Sequence, residues 1–198
     1  MEYTNSEILE LFAECKALLK GHFLLTSGKH SDRYFEKIKL IENPEVLNKI
    51  VDKLVMLIKL KNLDFEYVVS PAFGAIAIGF LVALKLNKKF AFTQREGEQM
   101  VLRSGFSEIY GKKAIVVEDI VTTGGSIMEV SDCLVKSSVE IVAFFVLLDR
   151  SNKEVKINGK EIFSLAKVDA TLYEPDNCPL CKQKISVIKP GASNKFKK

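Results

Sequence analysis

The stretch Ile115-Val116-Val117-Glu118-Asp119-Ile120-Val121-Thr122-Thr123-Gly124-Gly125-Ser126 decides how this chain is read. An apolar run ends in two adjacent carboxylates, a Thr/Gly turn follows, and residues 126–136 continue with helical spacing. Each step has a chemical use. Backbone N–H groups of a glycine-rich turn at a helix N-terminus form an anion site. Gly124 and Gly125 let the backbone approach a phosphate closely, and Thr122, Thr123 and Ser126 add hydroxyl donors. Glu118 and Asp119 would repel a phosphate, so they suit a different partner: sugar hydroxyls, reached directly or through a hydrated Mg2+. The competing reading is a ligand-free turn whose acids merely cap a strand. Neither G-x-x-x-x-G-K-[ST] nor G-x-G-x-x-G occurs in the chain, so the fingerprints of the P-loop and of the dinucleotide fold are absent.

Outward from that stretch the pattern repeats. Residues 65–69, 89–93, 114–117 and 141–148 read as short apolar strands, and 75–86 and 126–136 as helices between them. Nearly all-apolar strands alternating with helices predict a mostly parallel sheet covered on both faces, an α/β fold. Residues 94–113, with Gly97, Gly105, Gly111 and many charges, read as an exposed excursion. Upstream, Thr4-Asn5-Ser6-Glu7 has the form of a capping box. Ile8, Leu11, Phe12, Cys15, Leu18 and Leu19 then predict a helix that Gly21 ends. Residues 23–38 are polar, aromatic and turn-rich, with a turn at Ser27-Gly28, and Asn43-Pro44 opens a second helix with the stripe Leu47, Ile50, Val51, Leu54, Val55, Ile58. A short strand is expected at 161–165 and a fraying tail from Lys189.

Composition narrows the class. The 198 residues are 47% hydrophobic and 27% charged, enough for one sizeable core. A net charge of +4 is too mild to argue for nucleic acid and compatible with a phosphate-rich small substrate. The longest uncharged apolar runs, 75–84 and 141–148, are far short of the ~20 residues that span a bilayer. With no secretory pattern at Met1–Asn5, a cytoplasmic, reduced protein is expected.

Several segments in consistent order resemble one family. Val116–Ile127 resembles the phosphoribosyl pyrophosphate (PRPP) signature of the type I phosphoribosyltransferases. Gly21–Tyr34 resembles the N-terminal substrate segment of the orotate phosphoribosyltransferases in their shorter bacterial variant. Ser70-Pro71-Ala72-Phe73-Gly74 resembles their pyrophosphate loop, and Leu147-Leu148-Asp149-Arg150 their strand end with an orotate-binding Arg. Cys178-Pro179-Leu180-Cys181 with Lys189-Pro190-Gly191 resembles their C-terminus. The resemblance implies one domain over 1–198, of type I phosphoribosyltransferase fold, with a small hood from about 20–40 and 160–190 and a flexible tail at 191–198. It also implies a homodimer, Mg2+ as cofactor, and PRPP and orotate as substrates in pyrimidine biosynthesis, with no nucleic-acid or membrane partner.

Roles follow from the resemblance residue by residue. Glu118 and Asp119 would meet the ribose hydroxyls, and Thr122–Ser126 the 5-phosphate; Ile120, Val121, Thr123, Gly124 and Gly125 complete that PRPP contact. Phe73, Gly74 and Lys29 would lie on the pyrophosphate side, Lys29 standing in for a Lys that several members carry where this chain has Thr26. Arg95, at a strand end, would stabilise leaving-group charge alongside Asp119 at the reacting sugar. Residues 96–104 resemble a mobile catalytic loop but lack its usual Lys and His, leaving Arg103 as its only cation. Arg150, with Thr122, Tyr34 and Phe35, would hold orotate, a guanidinium fork matching a carboxylate. The alternatives are a local Asp149–Arg150 salt bridge and plain core packing for Phe35. No protein side chain is expected to ligate a metal directly, Mg2+ being held mainly by PRPP and reached through water by Glu118 or Asp119.

The four cysteines are Cys15 and Cys133, in helical patterns, and the pair Cys178 and Cys181. One C-x-x-C supplies half of a closed zinc set, and the only two histidines, His22 and His30, are remote in sequence. A turn of reduced thiols around Pro179 is therefore the expectation. Two rival functions remain: a phosphoribosyltransferase for another base, and a non-catalytic PRPP-sensing regulator.

Overall fold

The computed structural model describes residues 4–25, 27–151, 155–168 and 171–190. Seven strands form the main sheet, in the order β5-β4-β3-β6-β7-β9-β8. These are β3 (Tyr67–Pro71), β4 (Lys89–Glu96), β5 (Gln99–Leu102), β6 (Lys113–Val121), β7 (Glu140–Asp149), β8 (Lys156–Ile157) and β9 (Lys160–Lys167). The five inner strands run parallel, and β5 and β8 close the edges as antiparallel partners. Three further strands, β1 (Leu18–Leu24), β2 (His30–Phe35) and β10 (Leu172–Tyr173), make a separate small antiparallel sheet.

Strand alternation sorts the side chains into two cores. Ile115 and Val117 of β6, with Phe145 and Leu147 of β7, face α1 (Asn5–Glu14), α3 (Pro44–Leu60) and α4 (Ile76–Leu86). Val116, Phe144 and Val146 face the other way, towards Ile127, Val130 and Leu134 of α5 (Gly125–Lys136). Helices on both faces explain why these strands read as unbroken apolar runs. The predicted stripe of α3 is buried throughout, and Val46 joins it. Burying one such aliphatic side chain contributes roughly 1.5–3 kcal/mol. Pro44 stands at the first turn, but the Asn43 amide donates to the Lys39 carbonyl at 2.8 Å, closing α2 (Ile38–Glu42) rather than capping α3.

The N-terminal expectation needs correction. The capping box is present, with Thr4 and Glu7 bonding each other's backbone N–H. The helix nevertheless stops at Glu14, because Lys16 turns left-handed (φ 57°) and the Ala17 N–H donates back to the Phe12 carbonyl at 2.8 Å. Leu18 and Leu19, which continue the helical spacing in sequence, instead pair with Phe35 and Tyr34 as strand residues, so tertiary pairing overrides local periodicity. Gly21 lies inside β1, where an added Cβ would meet the Phe23 ring at 3.1 Å. Ser27-Gly28 turns a β-hairpin, with Gly28 at φ 80°. Residues 160–167 belong to the main sheet as β9, so the C-terminal contribution to the small sheet starts at Leu172. The expected fraying tail falls mostly on 191–198, outside the described residues.

The order of the sheet places the site. From β3 the chain passes through α4 to β4 on one side, then returns to β6 on the other. The switch point of the winding therefore lies between β3 and β6, and the crevice beyond their carboxyl ends is where open α/β sheets receive ligands. Gly79 lets α4 lie close on this part of the sheet: a Cβ there would fall 1.9 Å from Ser70 Oγ and 2.9 Å from Ser70 Cβ. Gly79→Ala should therefore destabilise the protein by about 1–3 kcal/mol through overpacking. Urea denaturation would register this as a lower midpoint at unchanged slope.

Candidate active site

Two loops border the crevice. After β3 the chain runs through Ala72, Phe73 and Gly74, anchored by the Ala72 N–H donating to the Thr93 carbonyl at 2.7 Å. The Ala72–Phe73 peptide is cis, and the Phe73 ring stands out into solvent, 85% exposed. After β6 comes the turn Thr122-Thr123-Gly124, leading into α5. Thr122, Thr123, Gly125 and Ser126 are exposed while Gly124 is buried. Gly124 is the helix N-cap at φ 83°, and a Cβ on it would meet Val155 at 2.7 Å. The turn thus presents hydroxyls and N–H groups outward at the positive end of a helix.

Below the turn, Glu118 and Asp119 are 6% and 3% exposed. Glu118 accepts from the Asp119 N–H (3.0 Å) and from the Ser126 hydroxyl (3.3 Å). Asp119 accepts from the Ile120 N–H through Oδ1 (2.7 Å) and forms an ion pair with Lys37 Nζ through Oδ2 (2.9 Å). Burial, then the charge of Asp119, pushes the Glu118 carboxyl up to about 8. Burial pulls the Lys37 ammonium down, but the charge of Asp119, a hydrogen bond to it and then the charge of Glu118 outweigh that and hold it above its usual range. The pair is therefore eased in two ways: burial and the neighbouring charge favour the protonated form of Glu118, and Asp119 has a cation beside it. Gly74 makes the closeness possible: a Cβ there would sit 2.5 Å from Asp119 Oδ2 and 3.0 Å from Lys37 Cε. Ile120 is half-buried against the core and Val121 is buried within it, so their side chains support the turn.

Arg150 enters from β7. Its N–H donates to the Val121 carbonyl at 2.8 Å, which seats it beside Thr122. Its guanidinium lies 5.0 Å over the Phe35 ring. Nε is buried without a hydrogen-bond partner, and among the described residues no carboxylate forms an ion pair with it. Asp149 instead accepts from the Ser151 N–H (2.8 Å) and pairs with Lys167 (3.7 Å). Burial lowers the Arg150 pKa, while the charges of Asp32 and then Tyr34 act in the opposite direction. Phe35 is buried, packs edge-on against Phe12 in the core as plain core packing would have it, and its ring lies under the Arg150 guanidinium. Tyr34 is half-buried against Phe23, with rings 5.7 Å apart.

Other residues singled out in the sequence lie elsewhere. Lys29 is paired with Glu174 in the small sheet at 2.7 Å. The cation at the acid pair is Lys37, which sequence reasoning missed because an exposed Lys between two elements carries no pattern. Residues 96–104 are not a long loop: β4 and β5 form a hairpin through Gly97-Glu98, with Glu96 opposite Gln99. Arg95 is bonded to Glu129 of α5 and to the Glu98 carbonyl (3.2 Å), and Arg103 lies 4.0 Å from Glu96. Neither pairs with Glu118 or Asp119. Asp32, whose Oδ1 is buried without a partner, is a second site residue not foreseen. Thr26 falls outside the described residues.

Known proteins resemble this chain in sequence and in fold. Residues 41–176 match the phosphoribosyl transferase domain model. An orotate phosphoribosyltransferase of Desulforamulus reducens is 40% identical over 188 residues, spanning 95% of this chain and 97% of its own length. The crystal structure of orotate phosphoribosyltransferase from Aeropyrum pernix superposes with a TM-score of 0.69 at 20% identity, over 81% of this chain and 93% of that one. Adenine phosphoribosyltransferase from Trypanosoma brucei gives 0.59 at 18% identity, over 85% and 83%. The fold is thus common to enzymes of different bases, and the sequence match is what separates them: the chain belongs to the phosphoribosyltransferases, within their orotate family.

Proposed function

We propose that this protein transfers the phosphoribosyl group of PRPP to orotate, giving orotidine 5'-monophosphate and pyrophosphate. The observation that carries the choice of orotate is Arg150: a half-buried side chain whose Nε is buried and unpartnered, backbone-bonded to the end of the phosphate strand. An unsatisfied buried donor is costly, and a planar carboxylate arriving beside Thr122 relieves it. Adenine carries no carboxylate, so this feature favours orotate over the purine bases.

The chemistry is displacement at the ribose C1 atom. Orotate N1, arriving already deprotonated, supplies the electron pair of the new C–N bond, and the C–O bond to pyrophosphate breaks with its electrons leaving on oxygen. The protein positions and neutralises rather than exchanging protons. The turn from Thr122 to Ser126 holds the 5-phosphate, Asp119 accepts from one ribose hydroxyl, and Glu118, whose carboxyl is pushed up towards the neutral form, can donate as well as accept when protonated. Lys37 brings positive charge to the same place. Mg2+ would lower the charge of the pyrophosphate oxygens; the residues present fit an ion held by PRPP and reached by Asp119 or Glu118 through water, since Lys37 already balances one carboxylate. A cytoplasmic homodimer completes the proposal, in which the partner's hairpin could bring Arg103 or Arg95 to the pyrophosphate.

Loss of orotate absorbance on mixing protein, orotate, PRPP and Mg2+ tests the reading directly, with adenine, hypoxanthine and uracil as controls; turnover of another base in preference to orotate would overturn it. Asp119→Asn should lower kcat/KM for PRPP by on the order of 100-fold with the circular dichroism spectrum retained. Arg150→Ala should raise the KM for orotate by more than about tenfold, the value of a charge-assisted bond, and that for PRPP much less. Glu118 gives a pH test. Its folded pKa of about 8 exceeds the unfolded 4.5, so between these values only the folded state holds the proton, and wild-type stability falls as pH rises through that window. Glu118→Gln should flatten this slope in urea titrations at pH 5 to 8.

A further inference from the structure

His22 and His30 are far from Cys178 and Cys181 in sequence, yet the fold collects all four. The two histidines lie on the facing strands of the β1–β2 hairpin, whose register shifts between Lys20 and Phe23. Their rings meet with Nε2 of His22 2.7 Å from Nδ1 of His30. The C-terminal segment is drawn over them by backbone pairing: β10 pairs with His30 and Ser31, and Ile188 exchanges hydrogen bonds with His22 (2.8 Å) and Leu24 (2.9 Å). Between these anchors the short helix α6 (Pro179–Lys182) sets Cys178 Sγ 3.5 Å from His22 Nε2. Cys181 Sγ lies 3.8 Å from that same nitrogen and 3.4 Å from His30 Nδ1. All four ligand atoms lie within 4.8 Å of one another. His22, His30 and Cys178 are buried, Cys181 is exposed, and both cysteines are free thiols.

From this geometry we infer that the four residues bind one Zn2+ in a closed Cys2His2 site, distinct from any Mg2+ at the PRPP crevice. A tetrahedral zinc with bonds of about 2.0–2.1 Å to nitrogen and about 2.3 Å to sulfur requires N···S edges near 3.6 Å. The three N···S separations above bracket that value. The N···N edge should be about 3.3 Å on the same bond lengths, so the imidazoles part by roughly 0.6 Å on loading. The tautomer of His22 is already set: the Ile185 carbonyl, which can only accept, lies 2.7 Å from Nδ1. Nδ1 therefore carries the hydrogen and Nε2 turns its lone pair into the cluster, the outer-shell arrangement usual for zinc-bound histidine. A network of thiols and imidazoles without metal would rest on weak S–H donors in a buried place. Two thiolates and Zn2+ leave the site neutral, and loading releases two thiol protons. Two nitrogens and two sulfurs suit zinc rather than Mg2+, and four protein ligands leave no open position, so the role is structural. The ion would tie residues 178–181 to the hairpin that carries Asp32, Tyr34 and Phe35.

The test uses the full chain, purified under reductant without a polyhistidine tag. Metal analysis should find about one zinc per chain. Replacement by Co2+ should give the intense visible d–d bands of a tetrahedral ion and a near-ultraviolet thiolate charge-transfer band. Cys181→Ser, at the exposed ligand, should halve the charge-transfer intensity and lower zinc occupancy; Cys178→Ser and His30→Ala should do likewise. A strong chelator should lower the Tm of the wild type, added zinc should restore it, and Cys181→Ser should not respond. Folded wild-type protein with both thiols reduced, zinc far below stoichiometric and no tetrahedral Co2+ spectrum would overturn the site. A Co2+ spectrum unchanged by Cys181→Ser would do the same. None of these readouts depends on which base the enzyme uses.

Discussion

Burying two neighbouring carboxylates at the end of the central strand is the constraint to which the rest of the crevice answers. Glu118 and Asp119 are both nearly inaccessible, and two like charges at such depth cannot both persist. The chain answers this with a Glu118 carboxyl pushed up towards its protonated form and with Lys37 against Asp119. Both solutions dictate local structure. Lys37 has to come from the segment between β2 and α2, which fixes the small sheet over this end of the main one. The loop after β3 has to pass without a side chain at 74, because the space is taken by Asp119 and Lys37. Ser126, the second residue of α5, turns its hydroxyl back to Glu118 and so links the phosphate turn to the acid pair.

Much of this was legible in the sequence where the signal is local. The apolar strands 114–117 and 141–148, the stripe of α3 and the Thr/Gly turn are each dictated by a few consecutive residues, and the structure places them as read, within a few residues at their ends. What was hidden is of two kinds. Leu18 and Leu19 satisfy helical and strand spacing alike, and only the antiparallel partner decides between them. Lys37, Asp32 and the His22–His30–Cys178–Cys181 cluster depend on contacts between segments up to 159 residues apart, which no window on the sequence can contain. The hairpin at 96–104 failed for a third reason: its glycine and charges suit a loop, and its pairing with β4 is apparent only once the strand continues past Thr93 to Glu96.

Charge is divided across the crevice in a way that suits the two proposed substrates. On the phosphate side the donors are backbone and hydroxyl groups, which bind without a large fixed charge and therefore do not compete with Lys37 for Asp119. On the base side a single guanidinium is held over an aromatic floor with its Nε unsatisfied. An anion bound there gains from a low local dielectric, whereas a neutral base would leave the buried donor unpaired. In the proposed reaction the base would be met by β7 and β2 together, which needs β2 held in one register.

That requirement bears on the small sheet. Three short strands bury little apolar surface of their own, too little to be stable in isolation. The end of β2 at Phe35 is secured by the main core, through Phe12 and the pairing of Phe35 with Leu18. The other end, at His30, rests on two residues of β10 and on Leu24. Five residues of extended chain, about 16 Å, separate His30 from Phe35, and a slip of one residue would exchange the faces on which Asp32, Tyr34 and Phe35 stand. A zinc ion at His22 and His30 fixes the weaker end with two ligands on adjacent strands and two from the C-terminal turn. The same ion thereby sets the register of the strand that carries Asp32, Tyr34 and Phe35, which gives a site remote from the crevice a structural reason to be part of the protein.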